Sequence, residues 1–209
     1  MTKDCTVSKH PVIAEALTRM RDVNSDSATF RREAARLAGV LFAEATADIT
    51  ASEEVRETPL APFVGSKITG PIAIVPILRA GLGMVEAALA LLPDASVLHV
   101  GLARNEVTLE PETYYDKLPE AAEHRLAFVL DPMLATGGSA IAAIDMVKAA
   151  GIPDVRFVGI IGSPEGVGAL KSAHPSVTIH LAALDECLND VGYILPGLGD
   201  AGDRIFATN

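Results

Sequence analysis

The sequence predicts an α/β fold with a central, mainly parallel sheet flanked by helices. Three observations carry that prediction. Short apolar runs without polar alternation recur at 72–77, 97–103, 126–130, 155–161 and 177–182, a texture that suits strands buried on both faces. Helical stretches alternate with them at 82–92, 139–150 and 164–173, and a β-α-β rhythm is the pattern of helices packed on a parallel sheet. Finally, 209 residues with 49% apolar and 21% charged side chains sit near globular averages and suit one domain with a sizeable core.

In chain order, residues 11 to about 50 read as helical. Phe30, Ala34, Leu37 and Leu41 fall on one stripe, while Arg31, Arg32, Glu33 and Arg36 lie mostly off it. This N-terminal layer, 1–50, is expected to be an accessory layer or a subunit contact of the same domain. At 53–68 the pattern breaks. Pro59, Pro62 and Gly65 punctuate two short segments, 54–58 and 63–68, which predicts a hairpin or arm. The core follows at 71–184, and a glycine-rich region closes the chain at 185–209. Ser163-Pro164 marks a helix start, with Ser at the N-cap and Pro at the first helical position. Residues 105–119, with Tyr114 and Tyr115, lie between two strands. They read either as a lid over the carboxyl ends of the strands or as an ordinary surface hairpin.

Composition removes several function classes. With 17 Lys plus Arg against 27 Asp plus Glu the net charge is −10, and the pI is about 4.9. Sequence-independent binding to nucleic acid or to anionic membrane needs the opposite balance. There are 6 Phe, 3 Tyr and no Trp, so the core must be aliphatic. Cys5 and Cys187 form no CxxC pair and indicate no disulfide framework. The N-terminus lacks a signal-peptide core, and no apolar run approaches the roughly 18 residues of a membrane span, so a cytoplasmic protein is expected. The five histidines make no HExxH or ligand pair, which argues against a protein-built zinc site. GxSxG is missing, which argues against a serine hydrolase.

The strongest local signal is LAFVLDPMLATGGS at 126–139. An apolar strand ends in Asp131, and a short loop then leads through Thr136, Gly137, Gly138 and Ser139 into a helix. Glycines let a ligand approach the backbone, and a helix N-terminus offers unsatisfied N–H groups and a positive dipole end. Such a turn makes a phosphate cup; a plain capped βα turn would have the same pattern. The P-loop motif GxxxxGK[ST] is absent. Gly197, Gly199 and Gly202 match GxGxxG, yet only 7 residues follow Gly202, too few for a dinucleotide-binding unit. Those glycines instead predict a loop with unusual backbone angles whose main-chain groups can read a small heterocycle. Arg79 and Arg104 each follow a predicted strand. As a pair they suit a di-anionic group; singly, each reads as a surface ion-pair partner.

These segments together resemble the uracil phosphoribosyltransferase family. DPMLATGGS at 131–139 resembles its loop for phosphoribosyl pyrophosphate (PRPP). ILRAGLGM at 77–84 is similar to its upstream arginine motif, and YILPGLGDAGDR at 193–204 to its C-terminal uracil loop. Likeness also runs through His10-Pro11, Glu57 to Pro59, Thr108 to Pro111, Tyr114-Tyr115 and Ser163 to Gly166, and so along almost the whole chain. The resemblance implies the type I phosphoribosyltransferase fold and the conversion of uracil and PRPP to UMP and pyrophosphate. It implies that Arg79 and Arg104 contact the PRPP pyrophosphate. Asp131, Pro132, Met133, Leu134, Ala135, Thr136, Gly137, Gly138 and Ser139 would hold the ribose and 5-phosphate. Asp200 would lie beside PRPP and its metal, and Ile194, Gly199, Asp200 and Ala201 would bind uracil through backbone groups. Arg79, Arg104, Asp131 and Asp200 are the catalytic candidates. Mg²⁺ would arrive with PRPP, not through direct protein ligation. The resemblance also brings GTP as a candidate activator, and the Ala-rich N-terminal helices suggest a homo-oligomer, dimer or larger.

Two departures stand out. Phosphoribosyltransferases at large usually carry two adjacent acids where this chain has Asp131-Pro132, which fits the uracil enzymes and counts against those for hypoxanthine or orotate. Asn105 follows Arg104 where relatives often have an acid. Competing readings are a PRPP-sensing regulator that binds RNA, for which −10 and the lack of a basic cluster offer little, and a transferase for another base.

Overall fold

The computed structural model describes residues 5–104, 111–118 and 123–208. The elements are β1 (Cys5–Val7), α1 (Pro11–Arg21), α2 (Ser27–Ala45), β2 (Ala51–Glu57), β3 (Pro62–Ile68), β4 (Ile72–Leu78) and α3 (Leu82–Leu91). They continue with β5 (Ser96–Val97), β6 (Val100–Arg104), β7 (Pro111–Asp116), β8 (Leu126–Leu130), β9 (Met133–Leu134) and α4 (Gly138–Ala149). The last are β10 (Asp154–Gly162), α5 (Pro164–Ala173), β11 (Thr178–Leu184), β12 (Cys187–Leu188), β13 (Ile194–Leu195) and α6 (Ala201–Phe206).

The main sheet runs β1-β11-β10-β8-β4-β6-β7, with β5 on β4 and β9 on β10. Its described pairings are parallel except β6 with β7, so the expected sheet is present. Strands β4 and β8 are buried almost throughout, which explains their unbroken apolar runs. Each face is covered. On one, Phe30, Leu37, Leu41 and Phe42 of α2 pack with Ile74, Phe128 and Ile160, and the Phe42 and Phe128 rings sit 4.6 Å apart. On the other, Ala143, Ile144 and Val147 of α4 and Leu170 of α5 meet Val75, Val129 and Phe157. Each large apolar side chain so buried contributes about 1.5–3 kcal/mol. No helix among the described residues is long and apolar enough to cross a membrane.

The structure sharpens the expected elements in four places. The helical stretch from 11 to about 50 is two helices, because Asp22 accepts from the Asn24 N–H at 2.8 Å and Asp26 caps α2 through the Thr29 N–H at 2.7 Å. Short polar side chains that bond nearby backbone end a helix in this way. The apolar run 97–103 divides into β5 and β6. Residues 111–116 are strand β7, antiparallel to β6, so this part of the 105–119 segment is a hairpin strand; residues 105–110 lie outside the described residues. Finally, the glycine-rich tail contains a short helix, α6. The arm is present: β2 and β3 form a separate two-stranded sheet, closed where the Thr58 hydroxyl accepts from the Leu60 and Ala61 N–H groups at 3.1 Å.

Candidate active site

The carboxyl ends of β4, β6, β8 and β10 share one edge of the sheet, and the candidate site lies there. After β8 the Pro132 carbonyl accepts from Ile160 N–H at 3.0 Å and Ile161 N–H at 2.9 Å. The chain then pairs once more with β10 through β9 before turning into α4. Gly137, the N-cap, has φ +87°, a left-handed angle that glycine adopts without steric cost. No side chain caps α4, so its first-turn N–H groups face a small cup of about 70 Å³ lined by Asp131, Met133 and residues 134–140.

The cup is braced from behind by the start of α5. Buried Ser163 donates from Oγ to the Ala135 carbonyl at 2.6 Å and accepts from Gly166 N–H at 2.9 Å. Its own N–H donates to the Leu134 carbonyl at 3.0 Å. A Cβ on Gly166 would stand 2.3 Å from the Ala135 carbonyl oxygen, so only glycine lets α5 come this close. Sequence reading finds the Ser163 cap; that the same hydroxyl holds the loop is visible only once β9 and α5 are adjacent.

A second cleft, about 220 Å³, shares Asp131, Met133 and Ser139 with the cup and adds Ile77, Leu78, Arg79, Ala80, Leu102, Asp200 and Gly202. Gly81 lets the chain after β4 turn against β8, since a Cβ there would lie 2.4 Å from the Leu130 carbonyl oxygen. The Leu78–Arg79 peptide is cis. Arg79 is 3.3 Å from Asp203 and 5.7 Å from the Phe206 ring, and its side chain is about half exposed. Burial pushes the Asp131 carboxyl up to about 7, with the nearby Asp200 charge adding to the rise and a hydrogen bond from Met133 N–H opposing it. Shifts of this origin in a cleft mark functional carboxyls.

Asp200 and Gly202, at the end of the C-terminal loop, close the far side of the cleft. Gly197 and Gly199 take φ of +64° and +77°, as their sequence predicts. Asp200 caps α6 by accepting from Asp203 N–H at 2.9 Å. Arg204 reaches the Leu198 carbonyl at 2.8 Å and the Asp22 carbonyl at 2.8 Å, with its guanidinium over the Phe30 ring.

The structure thus brings Arg79, Asp131, Met133, Ser139 and Asp200 around one cleft, and Leu134, Ala135, Thr136, Gly137 and Gly138 around the adjoining cup. Arg104 ends β6, whose pairing with β4 through Ile77↔Val100 and Leu78↔Gly101 sets the two strand ends side by side. Pro132 is buried behind the cup. The side chains of Ile194 and Ala201 are buried in the core, so only their main-chain groups remain for a ligand. Gly199 lines a larger cavity, about 620 Å³, between this loop and residues 21–27; Asp131 is not part of it, and the convergent chemistry is in the smaller cleft. Among the described residues no cluster of three His, Cys, Asp or Glu side chains could hold a metal ion; the cleft's own acids are the pair Asp131 and Asp200. Sequence reading missed Ile77, Leu78, Ala80, Leu102 and Gly202 as groups lining the cleft.

Comparison with known proteins shows the family. The uracil phosphoribosyltransferase family model matches residues 7–208. A uracil phosphoribosyltransferase of Roseiflexus sp. (strain RS-1) is 52% identical over 202 residues, spanning 97% of each chain. That of Wolinella succinogenes is 49% identical over 201 residues, spanning 96% of this chain and 97% of its own. A solved protein structure from Aquifex aeolicus superposes with a TM-score of 0.93 at 36% identity, covering 98% of this chain and 99% of the other. An adenine phosphoribosyl transferase from Trypanosoma brucei, with a TM-score of 0.57 at 12% identity over 90% and 89% of the two chains, shares the fold alone. The match reaches from the edge strand β1 to the end of α6, and the chain therefore belongs to the uracil phosphoribosyltransferase family.

Proposed function

We propose that the chain is a cytoplasmic enzyme of a single catalytic domain that transfers the phosphoribosyl group of PRPP to N1 of uracil, giving UMP and pyrophosphate in pyrimidine salvage. The observation that carries this reading is the junction of two features. A cleft lined by Arg79, Asp131, Ser139 and Asp200 opens into a cup at an uncapped helix N-terminus.

Breaking the bond from the anomeric carbon to pyrophosphate builds positive charge on the ribose and negative charge on the leaving group. Fixed cations at the leaving group lower that barrier, and Arg79 and Arg104, at the ends of β4 and β6, take this role through charge-assisted bonds. The cup from Leu134 to Ser139 holds the 5-phosphate, and Asp131 accepts hydrogen bonds from ribose hydroxyls. Main-chain groups of Ile194, Gly199, Asp200 and Ala201 orient uracil so that attack is effectively unimolecular. Mg²⁺, a hard ion that keeps its water and substrate-phosphate ligands, would arrive with PRPP, with Asp200 beside it and no direct protein ligation. When bound with PRPP, it neutralises pyrophosphate charge that this acidic protein would otherwise repel.

A main-chain clamp pairs with the N3–H of uracil between its two carbonyls. Cytosine has an amino group and a bare ring nitrogen there, and each unpaired buried group costs roughly 1–3 kcal/mol. Cytosine is therefore rejected by at least about tenfold. We further infer a homo-oligomer, dimer or larger, supported by the separate arm with Val55, Leu60 and Val64 exposed; sedimentation measures it.

Pyrophosphate release from PRPP and Mg²⁺, with uracil, cytosine, orotate or hypoxanthine added in turn and with or without GTP, tests the reaction. Uracil-dependent release, reduced about 10–100-fold in Asp131→Asn for the loss of a charged hydrogen bond, is the expected result, and GTP stimulation would mark it as an activator. Equal release with cytosine would overturn the base assignment, and silence with every base would overturn the activity.

A further inference from the structure

We infer that Asp185 and Arg21 form a positioning pair for the base-binding loop, setting where its main-chain groups stand beside the cleft. The inference rests on the reading that residues 194–201 meet uracil. Asp185 directly follows β11 and is buried; its N–H donates to the Gly162 carbonyl at 2.8 Å, which registers it to the end of β10. Its carboxylate takes both arms of the Arg21 guanidinium, Nη2 to Oδ1 at 2.5 Å and Nη1 to Oδ2 at 2.8 Å. Oδ2 also accepts from Gly197 N–H at 3.0 Å, and Arg21 Nη1 donates to the Gly197 carbonyl at 2.7 Å. One ion pair therefore binds both polar groups of a single loop residue.

Gly197 is the residue through which such a grip acts on the site. Its φ is +64°, and a Cβ on it would stand 2.1 Å from the Ile194 carbonyl oxygen. The turn is folded tightly back on Ile194, so fixing Gly197 fixes the spacing between Ile194 and Gly199. A bidentate guanidinium–carboxylate pair defines direction as well as distance. Being mostly buried, such a pair is weak evidence for stability, and its geometry is what the loop uses. The frame it transmits is that of β10, which also braces Asp131 and the cup. A second tie, Arg204 to the Leu198 carbonyl, does not depend on Asp185. Loss of the pair therefore shifts the loop without unfolding it.

The test is steady-state kinetics of the full-length enzyme with KM for uracil, KM for PRPP and kcat measured separately, alongside thermal midpoints. Asp185→Ala should raise KM for uracil about tenfold or more while KM for PRPP stays within about twofold. Asp185→Asn keeps an acceptor for Gly197 N–H and should recover part of that loss. Arg21→Lys keeps the charge but not the fork and should fall between the two; it and Asp185→Asn decide the matter if Asp185→Ala does not fold. Gly199→Ala, which strains the loop directly at φ +77°, separates the two ideas. If Gly199→Ala raises KM for uracil and the Asp185 and Arg21 variants do not, the positioning pair is wrong and the loop assignment stands. If none of them moves KM for uracil, the loop assignment itself fails. A fall in thermal midpoint with both KM values unchanged or equally raised would make the pair structural only.

Discussion

The two loops beside the cleft draw on backbone and side-chain ties in different proportions. Residues 131–139 are held by neighbours in the sheet: the Pro132 carbonyl on β10, the two-residue strand β9 and the Ser163 hydroxyl. Residues 194–200 pair at their start with β12 through β13 and are otherwise held by side chains: Arg21 at the end of α1, Asp185 after β11 and, six positions on in α6, Arg204. A backbone ladder is rigid and local, whereas an ion-pair clamp can be tuned residue by residue. The division suits a phosphate cup, which needs only N–H groups at a helix end, and a base site, which must place alternating donors and acceptors.

The comparison makes predictions of decreasing size. Arg79→Ala removes a cation that both loops leave exposed in the cleft. Its kcat/KM should fall about 10²–10³-fold, the scale for losing one transition-state anion donor. Its thermal midpoint should hardly move, because the half-exposed pair with Asp203 is worth about 0–1 kcal/mol. An unchanged rate would remove Arg79 from the mechanism. Gly166→Ala should act on one loop only, raising KM for PRPP about tenfold by pushing on the Ala135 carbonyl; the added methyl should also lower stability by about 1–3 kcal/mol.

The smallest effect is on stability against pH. With Asp131 near 7 in the native state against an ordinary 3.8, the native protein binds more protons across that window, so stability falls as pH rises through it. Asp131→Asn removes this dependence. It should raise the thermal midpoint of the ligand-free protein at pH 8 by a few degrees, for about 1–3 kcal/mol, and leave it unchanged near pH 4. A midpoint difference independent of pH would contradict the burial of that carboxyl.

The same contrast governs what was legible in the sequence. The cup was legible because strand, acid, glycines, hydroxyls and helix are consecutive, and each carries its own conformational rule. Gly197 and Gly199 are legible as positive-φ positions, whereas Gly202 falls inside helix α6. The clamp on Gly197 is not legible, since Arg21 and Gly197 are 176 positions apart and nothing local in either pairs them. Ser163 reads as a helix cap, while its second bond, to Ala135, depends on β9 lying beside β10. The break at residues 22–26 has its own signals in Asp22, Asn24 and Asp26, while the apolar stripe from Phe30 to Leu41 lies wholly in α2 and cannot show it. The three-residue strand β1 and the six-residue helix α6 are too short to show a period, and tertiary contacts alone define them.

The measurement that tests the account most directly is the pair of substrate constants in two glycine variants, Gly166→Ala behind the cup and Gly199→Ala in the C-terminal loop. A crossover is predicted, with Gly166→Ala raising KM for PRPP alone and Gly199→Ala raising KM for uracil alone. If both variants raise the same constant, or each raises both equally, the two loops do not divide the substrates between them.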